Sequence, residues 1–101
     1  MLVQIAIDDK RATIALTGRL DHNLGCVFRE GYEPLLNNPE IEKIEIDLSA
    51  ADYMDSSALG HLLLFRERVA NTQIEISLVN SQGIVRTLLE AVNFGEVFAL
   101  R

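Results

Sequence analysis

The densest chemistry in this 101-residue chain lies in Asp52-Tyr53-Met54-Asp55-Ser56-Ser57-Ala58-Leu59-Gly60. An aspartate and two serines stand where apolar residues begin to recur at helical spacing. Residues of these types accept hydrogen bonds from the first backbone N–H groups of a helix, which have no partner inside it. One cap suffices, yet Asp55, Ser56 and Ser57 crowd the same turn. A hydroxyl at a helix N-terminus also sits where the macrodipole favours an added anion. A hydrolase built on Ser56 is not indicated, because the chain has no Gly-x-Ser-x-Gly elbow and little from which to assemble a triad. His22 and His61 are the only histidines. Neither belongs to a Cys/His/carboxylate cluster at ligand spacing, so no metal, no cofactor and no catalytic residue is assigned. Both are expected at surface or near-cap positions.

The elements that must position this turn are marked by changes of hydrophobic period. Val3, Ile5 and Ile7 alternate with Leu2, Gln4, Ala6 and Asp8, and Ala12, Ile14 and Leu16 with Arg11, Thr13, Ala15 and Thr17. The short Asp9-Lys10 connection makes them an antiparallel hairpin, which also removes any likeness to the acidic pair of a receiver domain. Leu24, Val27, Phe28, Gly31 and Leu35 predict a helix with Asp21 as N-cap, weakened by Gly25 and Gly31 and kinked or ended by Pro34. Ile44, Ile46 and Leu48 predict a third strand, and Ile74, Ile76 and Leu78 a fourth. Between them Ala58, Leu59, Leu62, Leu63, Phe65, Arg66 and Val69 form one helix with a broad apolar face. Ser81 is expected to cap a last helix carrying Ile84, Val85, Leu88, Leu89 and Val92, and Val97 to Leu100 closes the chain. Clean alternation means that the sheet buries one face and wets the other. Ile44, Ile46, Ile74 and Ile76 should therefore be buried, with Glu45, Asp47 and Glu75 solvated. The reading is a single α/β domain over residues 1–101, in the order β-β-α-β-α-β-α. Its mixed sheet has four to five strands, with helices mainly on one face.

Composition bounds the partners. Nine basic and 15 acidic residues give a formal charge of −6. Such a chain offers no footprint for phosphate backbones and is repelled by anionic membranes, so neither nucleic acid nor membrane is an expected partner. Glu40, Glu42, Glu45 and Asp47 form an acidic run, read as a solvated strand face or a patch for a basic partner. Cys26 is the single cysteine; it cannot form an internal disulfide, which suits a reducing cytoplasm, and it is expected as a small core filler. No basic-then-apolar leader opens the sequence and no apolar run approaches the length of a membrane span. The expected setting is cytoplasmic.

The segment Ile46-Asp47-Leu48-Ser49 followed by Tyr53-Met54-Asp55-Ser56-Ser57-Ala58-Leu59-Gly60 resembles the signature of the STAS domain family, the anti-sigma factor antagonists. Leu16-Thr17-Gly18-Arg19-Leu20-Asp21 is similar to the family's Leu-x-Gly-x-Leu-Asp segment. Ser81–Leu89 and Asn93–Phe98 resemble its later helix and closing segment. Ala58 departs from the usual glycine, and Gln82-Gly83 from a frequent Ser-Pro pair. The resemblance implies a switch and not an enzyme. Ser56 would be phosphorylated by a partner that is both anti-sigma factor and serine kinase, and a PP2C-type phosphatase would restore it. It places partner contacts on Asp21, His22, Asp52, Tyr53, Met54, Asp55, Ser56, Ser57, Ala58 and His61. The protein is expected as a monomer or weak dimer in transcription regulation. The alternative is a non-switching STAS scaffold subunit of a transport or signalling complex.

Overall fold

Apolar alternation builds the hairpin first. In the computed structural model, which describes residues 2–101, β1 (Leu2–Asp8) pairs antiparallel with β2 (Arg11–Leu20), from Leu2 opposite Thr17 to Asp8 opposite Arg11. Asp9 makes the turn at φ 58°, in the left-handed region that aspartate tolerates better than most residues. The chain then crosses through α1 (Leu24–Leu36) to β3 (Lys43–Asp47), parallel to β2. A short β4 (Ala51–Met54) leads into α2 (Ser56–Val69) and back to β5 (Glu75–Val79), parallel to β3. The helix α3 (Gly83–Ala91), a 3-10 turn at Phe94–Glu96 and β6 (Ala99–Leu100) close the fold. The sheet order is β1-β2-β3-β5-β6, with β4 attached to the end of β2.

The class is as read from the sequence, and burial is one-sided in β2 and β3, but in β5 both Ser77 and Leu78 are buried, and the sheet has six strands instead of four to five. Ala12, Ile14, Leu16, Ile44, Ile46 and Leu78 are all buried to within 1%, and helices cover that face. Their alternating neighbours Thr13, Ala15, Glu45 and Asp47 are half-buried on the other. Glu75 is exposed, and Ile74 and Ile76 are only half-buried, because β5 lies toward the sheet margin. The acidic run is tied down locally: Glu42 pairs with Lys10 at 3.3 Å and Glu45 with Arg11 at 3.5 Å.

Each helix presents a narrower stripe than its apolar content suggests. The buried side of α1 is Leu24, Phe28, Tyr32 and Leu35. Tyr32, which the apolar spacing left out, is buried, and Val27, which it included, is 45% exposed. Cys26 is exposed, not a core filler; two residues beyond Leu24 it lies about 200° round the helix. Pro34 does not end α1, which runs on to Leu36. On α2 the buried residues are Ala58, Leu62, Phe65 and Val69, while Leu63 is exposed. Phe65 meets Phe28 and Tyr32 with ring centroids 5.3 and 4.9 Å away, which locks α2 against α1. Arg68 adds a two-nitrogen pair with Glu33 across the same seam. That pair is exposed, so Glu33→Gln is expected to cost less than about 1 kcal/mol in urea denaturation. Two caps differ from expectation. The N-cap of α1 is Asn23 and that of α3 is Gln82, neither with a side-chain hydrogen bond, so Asp21 and Ser81 do not cap.

Candidate functional site

The Asp55 turn stands where parallel strands deliver their C-terminal ends. After β3, Asp47 Oδ1 accepts from the Ser49 backbone N–H at 2.9 Å, and Ala51 N–H donates to the Leu48 carbonyl at 3.1 Å. This tight turn sends β4 alongside the last residues of β2. Gly18 there has φ 87°, and the register slips between Gly18 and Arg19. A bulge of this kind re-aims the side chains that follow it. Arg19 consequently lies over the Tyr53 ring, 3.8 Å from its centroid, with Nε 3.9 Å from Asp21 Oδ2. Asp21 Oδ1 accepts from the Asn23 backbone N–H at 3.0 Å, and this hydrogen bond holds the carboxyl below the ordinary carboxylate range.

Asp55 N–H donates to the Leu20 carbonyl at 3.2 Å, joining the turn to β2. Asp55 itself is extended, with φ −112° and ψ −178°, and its Oδ1 accepts from the Ala58 backbone N–H at 3.0 Å. It is the side-chain cap of α2. Ser56 and Ser57 then occupy the first two helical positions, and both are exposed. The crowding seen in the sequence thus resolves into one cap and two presented hydroxyls at the positive end of a helix macrodipole. Asp55→Ala is expected to remove about 1 kcal/mol of stability through loss of this cap. Thermal denaturation with the other residues intact measures it.

The ten residues named from the sequence do not all reach the surface. Asp52, Ser56, Ser57 and His22 are exposed, and Asp21, Tyr53 and Asp55 are half-buried around them. Met54 and Ala58 are 5% and 0% exposed, so they face the core and hold the turn without offering a contact. The Ala58 methyl fits where the resembled pattern has glycine. His61 lies across α1: a Cβ on Gly25 would come within 2.5 Å of its ring. Gly25 therefore lets α1 and α2 approach. Arg19 is the residue that sequence reasoning missed; its only signal was a cation paired across strands with the aromatic before Met54.

Among the described residues no group of three or more His, Cys, Asp and Glu side chains could hold a metal ion, and no helix is long and apolar enough to cross a membrane. The model of the STAS domain family matches residues 3–101. A STAS-domain containing protein of Pseudomonas aeruginosa (strain UCBPP-PA14) is 38% identical over 93 residues, covering 92% of this chain and 90% of that protein. Three solved structures share the fold at lower identity. Unphosphorylated SpoIIAA, described as an anti-sigma factor antagonist, superposes with a TM-score of 0.73 at 21% identity, over 93% of this chain and 84% of that one. Bacillus SpoIIAA in the phosphorylated form gives 0.75 at 19%, over 99% and 91%. An anti-sigma factor antagonist from Mycobacterium paratuberculosis gives 0.83 at 17%, over 98% and 83%.

Proposed function

The chain belongs to the STAS domain family, and from that premise we propose that it is an anti-sigma factor antagonist switched by phosphorylation of Ser56. Unmodified, it binds an anti-sigma factor with serine kinase activity and so frees a sigma factor. A phosphate on Ser56 ends the complex, and a PP2C-type phosphatase resets it. The observation that carries this reading is the exposed Ser56 hydroxyl at the first position of α2, with the capping duty already met by Asp55. A pure scaffold has no use for an acceptor kept available in this way.

Electrostatics supply the switch. A phosphoserine adds about −1.5 to −2 charges and three acceptor oxygens. In the free domain the helix terminus favours that charge by roughly 0.3–1 kcal/mol, while Asp52 and Asp55 oppose it. The two effects nearly cancel, so the fold should tolerate the modification. The close likeness in fold to SpoIIAA structures of both phosphorylation states supports this expectation. In a complex the phosphate must shed water, and without a basic counterpart that costs several kcal/mol. The partner surface expected on this reading comprises Asp21, His22, Asp52, Tyr53, Asp55, Ser56, Ser57 and His61, with Arg19 added by its position over Tyr53. The test is phosphate incorporation from ATP in an extract of the producing cells. Wild type and Ser57→Ala should gain one phosphate and Ser56→Ala none.

A further inference from the structure

Gly25, Gly31 and Gly60 lie inside helices, and the fold explains the first two. A Cβ on Gly25 would meet the His61 ring, and one on Gly31 would stand 2.9 Å from Ile5 Cδ1. At Gly60, in the second turn of α2, a Cβ would meet nothing within 4 Å among the described residues. Among the described glycines positive φ is confined to Gly18 and Gly83. Glycine destabilises a helix interior relative to alanine, so neither packing nor backbone conformation accounts for residue 60. Its place on the helix does. It is exposed and stands one turn after Ser56, about 6 Å along the axis and about 40° round it. Helical side chains tilt toward the N-terminus and cover the turn before their own Cα. A side chain at 60 would therefore lie over the turn of Ser56 and Ser57. Leu63 and Leu64, 40% and 55% exposed, lean back toward Gly60 from the following turn. The result is a notch with hydroxyls at one end, an apolar wall at the other and bare backbone between.

Resting on the Ser56 reading above, we propose that Gly60 is the access residue of that site. The serine kinase crosses α2 over residue 60, closer to the helix than a side chain there would permit, and sets an apolar surface against Leu63 and Leu64. The chemistry calls for this clearance. Ser56 Oγ forms a bond to the γ-phosphorus of ATP as the bond to the departing ADP oxygen breaks, and the hydroxyl proton passes to the kinase. Attack and departure are roughly in line, so the enzyme must hold ATP beyond the hydroxyl and close round it on the sides left free. Charge selects the side. Asp52 and Asp55 stand before Ser56 and repel phosphates, whereas beyond it α2 carries no acid until Glu67. An enzyme carrying ATP meets least opposition over Gly60, where the helix also offers apolar footing.

The test follows the initial rate of phosphate incorporation from ATP in an extract of the producing cells, beside the melting temperature of each variant. Gly60→Ala should melt about 4–8 °C above wild type, yet gain phosphate on Ser56 about tenfold or more slowly. A glycine kept for the fold would shift melting the other way. Leu64→Gln should melt as wild type does and gain phosphate about fivefold or more slowly. A wild-type rate in either variant overturns the proposal, and so does a Gly60→Ala protein that melts below wild type. An extract that leaves wild type itself without phosphate overturns the Ser56 switch and this inference together. One that modifies wild type and Gly60→Ala alike overturns this inference alone.

Discussion

Phe65→Ala is expected to lower the unfolding free energy by about 3–5 kcal/mol, measured by urea denaturation. The ring is 0% exposed and meets both Phe28 and Tyr32, whose own centroids are 5.0 Å apart in an edge-on arrangement. Removing it takes away apolar burial and two aromatic contacts, and leaves a cavity between α1 and α2 that backbone on both sides holds open. Domains of this size have only about 5–15 kcal/mol to lose. The same loss frees the helix whose N-terminus presents Ser56, so partner binding should fall with the folded fraction. A cost below about 1 kcal/mol, the range of ordinary surface substitutions, would contradict the three-ring seam as the lock between the helices.

On the proposed switch, Ser56→Asp is expected to bind an anti-sigma factor at least about a hundredfold more weakly than wild type, with its melting temperature nearly unchanged. A hundredfold corresponds to about 2.7 kcal/mol, less than the cost of burying a charge without a counterpart. The position matters more than the charge. Asp55, one residue earlier, is also negative, but its carboxylate is occupied by the Ala58 N–H, whereas residue 56 is exposed to an approaching surface. Ser56→Ala should bind as unmodified wild type does, and Ser57→Asp should weaken binding less than Ser56→Asp. Titration calorimetry or surface binding with the purified partner gives all four affinities. Equal affinity for Ser56→Asp and wild type would remove Ser56 from the switch.

Much of the fold was legible because its central strands obey one rule. In β2 and β3 each inward residue has an inward neighbour in register, such as Ile14 beside Ile46, so burial on one face enforces strict alternation. Legibility fails where that condition fails. β4 buries Ala51 and Met54, three apart, because the register slip at Gly18 breaks the period. β6 is two residues long and carries no pattern. β1 alternates as well as β2 does, yet its apolar face is largely uncovered, since alternation reports pleat and not what lies on top of it. The helix stripes misled in the same direction: Val27 and Leu63 have the right spacing to within one residue and are exposed. At the site, the place of the turn at the start of a helix followed from residue type and order, but which of Asp55, Ser56 and Ser57 caps it did not. The stacking of Arg19 on Tyr53 did not, because it depends on how two strands slide past each other, which neither segment encodes by itself.

The most direct measurement is tandem mass spectrometry of the protein recovered from its own cells, mapping each phosphate to a residue. The expected result is a population divided between unmodified chain and chain with one phosphate on Ser56, shifting toward the unmodified form when a PP2C-type phosphatase is added. A phosphate on Ser57 with none on Ser56, or a chain that never acquires phosphate while it remains bound to its partner, would contradict the switch.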